Sequence, residues 1–145
     1  MRISSRSSYA VRALVELAEQ EAEAPGRPVQ LAAIAQKRDL SVQVLEQLFT
    51  RLRRAGLVSS RRGVRGGFAF AKPPHTVTIL DVVGEVDGAP APARCGPGCA
   101  SRDACGVAEV WSSVRHAVEE VLGSTTIADL VESEQRGQGG TMYHI

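Results

Sequence analysis

The hydrophobic positions between residues 42 and 54 recur every three or four residues, which predicts one amphipathic helix. Its apolar stripe consists of Val44, Leu45, Leu48, Phe49 and Leu52. Ser41 is suited to cap the N-terminus, because a serine oxygen accepts a hydrogen bond from the first turn of a helix. Gly56 is suited to end the helix, since glycine readily adopts the left-handed backbone conformation found there.

A β hairpin is predicted directly after this helix. Residues 57–60 and 68–71 have the composition of two short strands, and residues 61–67 form a basic, glycine-rich turn between them. A helix followed by such a hairpin is typical of a recognition helix and its wing in DNA-binding proteins. The less specific interpretation is a solvated basic helix face with an ordinary glycine hairpin.

Two further helices are predicted before residue 41. The first runs from Ser4 or Ser5 to residue 19, and the second spans residues 31–37, after a loop that contains proline and glycine. Residues 38–40 alone separate the second helix from Ser41. This short connection fits a helix-turn-helix, whose second helix enters the major groove of DNA.

The C-terminal half is predicted to be helical as well. Thr78 can cap a short helix over residues 79–86, and the longest helical pattern spans residues 106–122. The apolar stripe of the long helix comprises Val107, Val110, Trp111, Val114, Val118, Val121 and Leu122. It could complete the core of a monomer, but we expect a dimer interface, because DNA readers of this size commonly bind two-fold sites. A last short helix is predicted over residues 127–132.

Charge divides the chain into two unlike halves. The 145 residues carry a formal net charge of +1, yet residues 1–80 hold 13 basic and 6 acidic side chains, and residues 81–145 hold 4 basic and 10 acidic ones. Between residues 47 and 80 there are seven basic side chains and no acidic ones. Because DNA binding depends on neutralising phosphates, this clustering favours the recognition-helix interpretation.

Other classes of protein find little support in the sequence. No stretch approaches the roughly 18 apolar residues of a membrane helix, and the first residues lack the pattern of a signal peptide, so we expect a cytoplasmic protein. The chain has no CxxC pair and no phosphate-cradling motif before a helix, so we do not expect an enzyme. A redox or cluster-handling enzyme or carrier is the alternative from a different class.

Three cysteines, Cys95, Cys99 and Cys105, stand in one short segment, with three and five residues between them. An odd number of cysteines in a chain that we expect to be cytoplasmic argues against a disulfide framework and favours metal or redox chemistry. Three thiolates can hold an iron–sulfur cluster with one coordination position left to another ligand. A zinc site, a thiol-redox switch and three unliganded surface cysteines are the other interpretations.

Four segments in order carry a resemblance to a known family: MRISSRSSYAVRAL at the start, LSVQVLEQLFTRLRRAGLVSSRRGVRGGFAFAKP, ILDVVGEVDG, and TTIADLV near the end. They resemble the Rrf2 family of bacterial winged-helix regulators, and specifically its iron–sulfur branch of IscR-type and NsrR-type regulators. The resemblance covers residues 1 to about 132. It implies a mainly α-helical fold with a small β wing, in which a winged helix-turn-helix DNA-binding domain precedes a long dimerisation helix.

The sequence pattern and this resemblance together predict a division of the chain and a function. We expect the DNA-binding domain in residues 1–88, a cluster-binding loop in residues 89–105, the dimerisation helix and short C-terminal helix in residues 106–132, and a disordered polar tail in residues 133–145. The implied protein is a homodimeric repressor that binds palindromic double-stranded operator DNA. Its operator affinity would be switched by an iron–sulfur cluster that senses iron, redox state or nitric oxide.

The resemblance also implies which residues of this sequence contact DNA and which bind the cluster. Gln43 and Glu46 fall at base-reading positions, Arg62 and Arg65 fall at the wing, where arginine can enter a minor groove, and Arg2 is expected near phosphates. The expected DNA contacts are Arg2, Ser41, Gln43, Glu46, Arg51, Arg61, Arg62 and Arg65, and the expected cluster ligands are Cys95, Cys99 and Cys105.

The cysteine segment departs from both types. Three residues separate its first two cysteines where the IscR type has five, Ala108 stands where that type has a histidine, and Ser8 stands near the position of a ligating aspartate in the NsrR type. The fourth ligand is therefore open between Glu109, Asp103 and others, and so is the choice between 2Fe–2S and 4Fe–4S. A cluster-free regulator of cysteine metabolism, or a thiol-redox switch, is the alternative within the family.

Overall fold

A computed structural model describes residues 3–89 and 105–141 of the protein, with side chains as far as residue 138. The predicted site residues Arg2, Cys95 and Cys99 lie outside the described residues. In the part that is described, no helix is both long enough and apolar enough to cross a membrane.

Three helices build the predicted helix-turn-helix: α1 (Ser5–Glu23), α2 (Leu31–Arg38) and α3 (Val42–Arg54). α1 runs through the core, where Leu14 and Leu17 are fully buried. Ser41 caps α3 by accepting a hydrogen bond from the Val44 N–H at 3.5 Å, and Gly56 follows the helix with a φ of 76°. Both terminal signals predicted from the sequence are confirmed.

The wing is an antiparallel pair of strands, β1 (Val58–Arg61) and β2 (Gly67–Phe70). The loop before α2 adds a third segment to it, because Val29 and Phe68 exchange two backbone hydrogen bonds of 2.8 Å. Gly67 has a φ of 152°, and a Cβ there would stand 2.5 Å from the Val29 carbonyl oxygen, so only glycine permits this close approach. On the other side, the rings of Phe49 and Phe68 meet edge to face at 5.0 Å, which fixes the wing against α3.

α4 (Ile79–Asp87) begins with the capping box that Thr78 and Asp81 form. Its other end holds the start of α1, since Asp87 accepts hydrogen bonds from the Ser4 N–H at 2.7 Å and from the Ser7 hydroxyl at 2.7 Å. The predicted helix over residues 79–86 is confirmed, with one further residue.

The last two helices are α5 (Gly106–Ser124) and α6 (Ile127–Thr141). Thr126 and Asp129 repeat the reciprocal capping of α4, and the Ile127 side chain is fully buried in the same core as α1. The predicted disordered tail from residue 133 is wrong as far as residue 141, because α6 continues to Thr141. Its polar sequence conceals a tertiary contact, an ion pair of 2.9 Å between Glu134 and Arg38 of α2, which holds the helix beyond residue 132.

Candidate nucleic-acid interface

The N-terminal part of α3 presents polar side chains to solvent. Leu45, Leu48 and Phe49 are fully buried on one side of the helix, and this leaves Gln43 and Glu46 exposed on the other. A glutamate carboxylate accepts hydrogen bonds and a glutamine amide both donates and accepts them, which are the chemistries needed to read base edges.

Hydrogen bonds hold α3 to its neighbours along its length. Arg6 of α1 donates to the Gln47 side-chain oxygen at 2.8 Å, and Arg51 donates to the Val86 carbonyl at the end of α4, also at 2.8 Å. Sequence reasoning assigned Arg51 to DNA alone, and the structure gives it an internal contact that the local pattern could not reveal. Its DNA contact stays a prediction.

The tip of the wing is fully open to solvent. Arg61, Arg62 and Arg65 are exposed, and Val64 between them is 95% exposed. Gly66 closes the turn by donating its N–H to the Gly63 carbonyl at 3.0 Å, and a Cβ on Gly66 would stand 2.2 Å from the Arg61 carbonyl oxygen. Gly63 and Gly66 therefore allow the tight turn of the wing. This turn carries the exposed arginines away from the core.

Most arginines of the described chain are held by internal partners, and a minority are not. Within residues 3–89 and 105–138, the arginine side chains that form no hydrogen bond or ion pair are Arg27, Arg54, Arg61, Arg62 and Arg65. The three wing arginines belong to this group. Their charges are available to a ligand.

Sequence reasoning missed Arg27. The loop before α2 and the wing enclose an open cleft of about 770 Å³, and Arg27, Arg61 and Arg65 all line it. The bridge between Val29 and Phe68 creates this proximity, and a contact across 39 positions leaves no local periodicity. The single signal in the sequence is Val29, a β-branched residue in the loop of proline and glycine before α2.

Arg38, at the end of α2, has the opposite environment. Its guanidinium donates to Glu16 at 2.8 Å, to Glu19 at 2.9 Å and to Glu134 at 2.9 Å, and its side chain is 15% exposed. Burial alone would lower the pKa of Arg38, but the hydrogen bonds to Glu134 and Glu16 raise it above its ordinary value. The charged group therefore ties α1 and α6 to the residue that precedes the turn of the helix-turn-helix.

One predicted cluster ligand is described. Cys105 is the N-cap residue of α5 and is half-buried, and its carbonyl accepts hydrogen bonds from the Ala108 and Glu109 N–H groups at 2.9 and 3.2 Å. Among the described residues, no three His, Cys, Asp or Glu side chains converge as a metal site.

α5 has an apolar stripe that the described chain covers only in part, since Val114 and Val118 are half-buried. Val107, Trp111, Val114, Val118 and Val121 alternate at spacings of four and three residues. Val107, Trp111 and Val121 are 57%, 44% and 63% exposed, and α5 has no buried residue. Among the described residues, the stripe therefore does not belong to the core that α1 runs through.

The chain matches a family model over residues 3–133, that of the Rrf2 iron-dependent transcriptional regulators. Among curated proteins, it is 35% identical to the transcriptional regulator CymR of Bacillus subtilis over the full length of both chains. It is also 34% identical to the transcriptional regulator IscR of Xenorhabdus nematophila, covering 93% of this chain and 82% of that protein.

Solved structures give the same picture. The structure of B. subtilis CymR, a global cysteine regulator, superposes with a TM-score of 0.78 at 35% identity, covering 92% of this chain and 98% of that one. The structure of T. potens IscR superposes with a TM-score of 0.77 at 33% identity, covering 95% and 91%. The predicted winged helix-turn-helix fold is confirmed.

Proposed function

Because this chain belongs to the Rrf2 family of transcriptional regulators, we propose that it acts as a homodimer on two-fold operator DNA and that an iron–sulfur cluster switches its operator affinity. The observation that carries the DNA-binding part is the exposure of two elements of the same winged helix-turn-helix. An exposed Gln43 and Glu46 at the start of α3 stand in the same unit as a wing whose arginines have no partner in the described residues.

Each element has a distinct task. Glu46 would accept from a cytosine amino group and Gln43 would bond adenine in the major groove. Arg62 and Arg65 at the wing would follow the narrow minor groove, where negative potential attracts guanidinium groups. The contacts at α3 would select the sequence and the contacts at the wing would supply much of the affinity.

The DNA test begins with a duplex selected from a random pool by the wild-type protein. Operator binding should be tighter than binding to random duplex, and both should weaken steeply with salt because phosphate contacts release counterions. Glu46→Ala should relax base preference at one position in each half-site. Equal affinity of wild type for selected and random duplex at every salt concentration would contradict the proposal.

The exposed stripe of α5 supports the dimer. Its 4–3 spacing is the pattern by which two helices interlock, and exposed apolar stripes of this length mark association surfaces. The two copies would bury Val107, Trp111 and Val121 against each other. Two recognition helices would then stand on one molecule, as a two-fold operator requires.

Val114→Glu tests this interface, because it would bury a charge that has no partner. Sedimentation should show a shift to monomer, with a loss of operator affinity, since the two half-sites are no longer bound together. Ser113→Glu is the matched control: it adds the same charge about 100° around the helix, and it should leave the dimer intact. An unchanged dimer for Val114→Glu would place the interface elsewhere.

The cluster proposal rests on donor chemistry. Cys95, Cys99 and Cys105 would hold the cluster, because three cysteine sulfurs can bind one with a position left to another ligand, and Cys105 occupies the N-cap position of α5. When bound, the cluster supplies an iron centre that responds to iron supply, oxidants or nitric oxide. Cys105 fixes one end of the cysteine segment to the helix that carries the dimer stripe.

Protein purified without oxygen provides the test. We expect iron, sulfide and visible absorption in the wild type, and an operator affinity that differs between cluster-bound and cluster-free protein by roughly 5- to 150-fold, the usual range of such coupling. Cys99→Ala should lose the absorption and have the affinity of cluster-free wild type. A variant that still responded to cluster loss would contradict the proposed sensor.

A second candidate is a cluster-free regulator of cysteine metabolism. The end-to-end identity of 35% to B. subtilis CymR and the TM-score of 0.78 to its structure favour it as much as the IscR likeness favours the cluster. Anaerobic protein without iron or sulfide that still binds a selected operator as a dimer would support this candidate. A thiol-redox switch would instead be indicated by operator affinity that changes with disulfide formation in such protein.

A further inference from the structure

The cleft between the wing and the loop before α2 has two walls that are fixed to each other. Val29 and Phe68 exchange two backbone hydrogen bonds of 2.8 Å, and the Gln30 side chain donates to the Val64 carbonyl at 3.4 Å. The close approach of Gly67 to Val29 excludes a side chain between them. The loop and the wing therefore move together, and the cleft is a lasting feature of the domain.

The cleft is lined by three cations that come from distant parts of the chain. Arg27 lies on the loop wall, and Arg61 and Arg65 lie on the wing wall. Glu23 also lines the cleft, but none of the three guanidinium groups pairs with it or with any other group of the described chain. Three positive charges against one negative charge favour an anion.

We propose that this cleft binds a backbone phosphate of duplex DNA outside the footprint of the recognition helix, with Arg27 as a DNA contact supplied by the loop. The inference rests on the proposed function. Guanidinium groups match phosphate oxygens in charge and geometry. DNA carries one phosphate charge for about every 1.7 Å of its axis, so a wing lying in a groove carries the cleft beside it to an adjoining phosphate.

The position of the cleft favours a DNA phosphate over a free anion. It opens beside Val64 and the wing tip, which are exposed, and its wing wall consists of residues that already face the proposed DNA. A contact of this kind adds affinity and fixes the register of the wing, but it carries no sequence information. Arg27 should therefore act equally on operator and random duplex.

The test is the salt dependence of binding to both duplexes. For Arg27→Ala, the slope of log affinity against log salt should fall by about 0.9 for each protomer that loses a phosphate contact, and by the same amount on operator and random DNA. Arg27→Lys should keep most of the slope, because it keeps the charge. Arg136→Ala is the control, since this exposed arginine of α6 bonds only a carbonyl of its own helix, and its slope should match wild type.

Two outcomes separate the inference from its premise. An unchanged slope for Arg27→Ala, together with a loss of affinity in Arg62→Ala, would overturn the role of Arg27 and leave the proposed function standing. Wild-type protein that bound no duplex would overturn both. A substitution of exposed Arg27 should leave the thermal melt unchanged, and Arg61→Ala provides a second variant from the other wall of the same cleft.

Inorganic phosphate distinguishes a DNA phosphate from a free one. At constant ionic strength, replacing chloride by phosphate in the millimolar range should weaken duplex binding more in wild type than in Arg27→Ala, because the DNA phosphate and the free anion then compete for the same cleft. If phosphate bound to the wild type in an Arg27-dependent manner but left duplex binding unchanged, the cleft would be a site for a small anion, and its assignment to the DNA backbone would be wrong.

Discussion

The turn of the helix-turn-helix and the wing use the same side chain in opposite ways. At the turn, Arg38 is surrounded by three carboxylates on two other helices and is 15% exposed. At the wing, Arg61, Arg62 and Arg65 are exposed and have no partner among the described residues. The first arginine has its charge satisfied inside the protein, and the other three have theirs directed outward.

This difference separates stability from binding within one small domain. A partly buried cation with several carboxylates is costly to disturb, because removing it leaves buried negative charge unpaired. Exposed cations without partners contribute little to folding, so they can be given to a ligand. The net charge of the N-terminal half does not distinguish the arginine that stabilises the fold from the arginines that are available for binding. The surroundings of each side chain distinguish them.

The largest effect is expected at the turn. Arg38→Ala should lower the free energy of unfolding by about 3 kcal/mol, because it leaves the buried Glu16 carboxylate without its cation. Urea denaturation measures this loss. Arg136→Ala should change stability by less than about 0.5 kcal/mol, as exposed substitutions usually do. If Arg38→Ala lost as little free energy of unfolding as Arg136→Ala, the contrast between the turn and the wing would be wrong.

An intermediate effect is expected at the wing, and on binding alone. Arg62→Ala should weaken operator binding roughly tenfold, in the range of one specific groove contact, and more than it weakens binding to random duplex. Its unfolding curve should match wild type within about 0.5 kcal/mol. Anisotropy titrations measure the loss of affinity, and urea denaturation of the same sample measures stability. A variant that lost stability together with affinity would show that the wing arginine also serves the fold.

The smallest effect concerns the carboxylate that joins α1 to the wing. Glu21 accepts a hydrogen bond from the Phe70 N–H at 2.8 Å, and burial raises its pKa above 4.5 although that hydrogen bond opposes the shift. Between the ordinary and the raised pKa the folded protein binds more protons than the unfolded chain, so this group makes stability fall as pH rises through that window.

Glu21→Gln should remove this part of the pH dependence while keeping an acceptor for Phe70. At neutral pH it should be as stable as wild type or more stable, by no more than about 0.5 kcal/mol. Glu21→Ala removes the acceptor as well, so it should lose stability at every pH. Urea denaturation across pH 4 to 8, the range set by the ordinary carboxyl and neutral values, provides the comparison. A Gln variant with the wild-type pH dependence would contradict the assignment.

Local signals predicted most of the helices and strands. Ser41 and Gly56 define the ends of α3 because capping depends on a few adjacent residues, and the same holds for Thr78 at the start of α4. The length of α6 was not predictable in this way, because Glu134 meets Arg38 across 96 positions. Periodicity does not carry information about such a pair.

In the candidate site, too, the residues placed by local sequence could be predicted and those placed by distant contacts could not. The basic hairpin and the polar start of α3 are continuous in sequence, so the exposed Glu46 and Arg62 could be predicted. Arg27 could not, because the bridge from Val29 to Phe68 brings its loop to the wing. Nor could the internal contact of Arg51, whose acceptor is a backbone carbonyl on another helix. Backbone acceptors have no signature in residue type.

The last turn of α4 connects the recognition helix to the start of α1. Two consecutive residues of that turn have different attachments: the Val86 carbonyl holds Arg51 of the recognition helix, and the Asp87 carboxylate holds Ser4 and Ser7 at the start of α1. The predicted cluster-binding loop, residues 89–105, begins two residues after Asp87. A tilt of this single turn would displace the recognition helix and the start of α1 together, which gives the proposed cluster-binding loop a route to the recognition helix through two residues and a few hydrogen bonds.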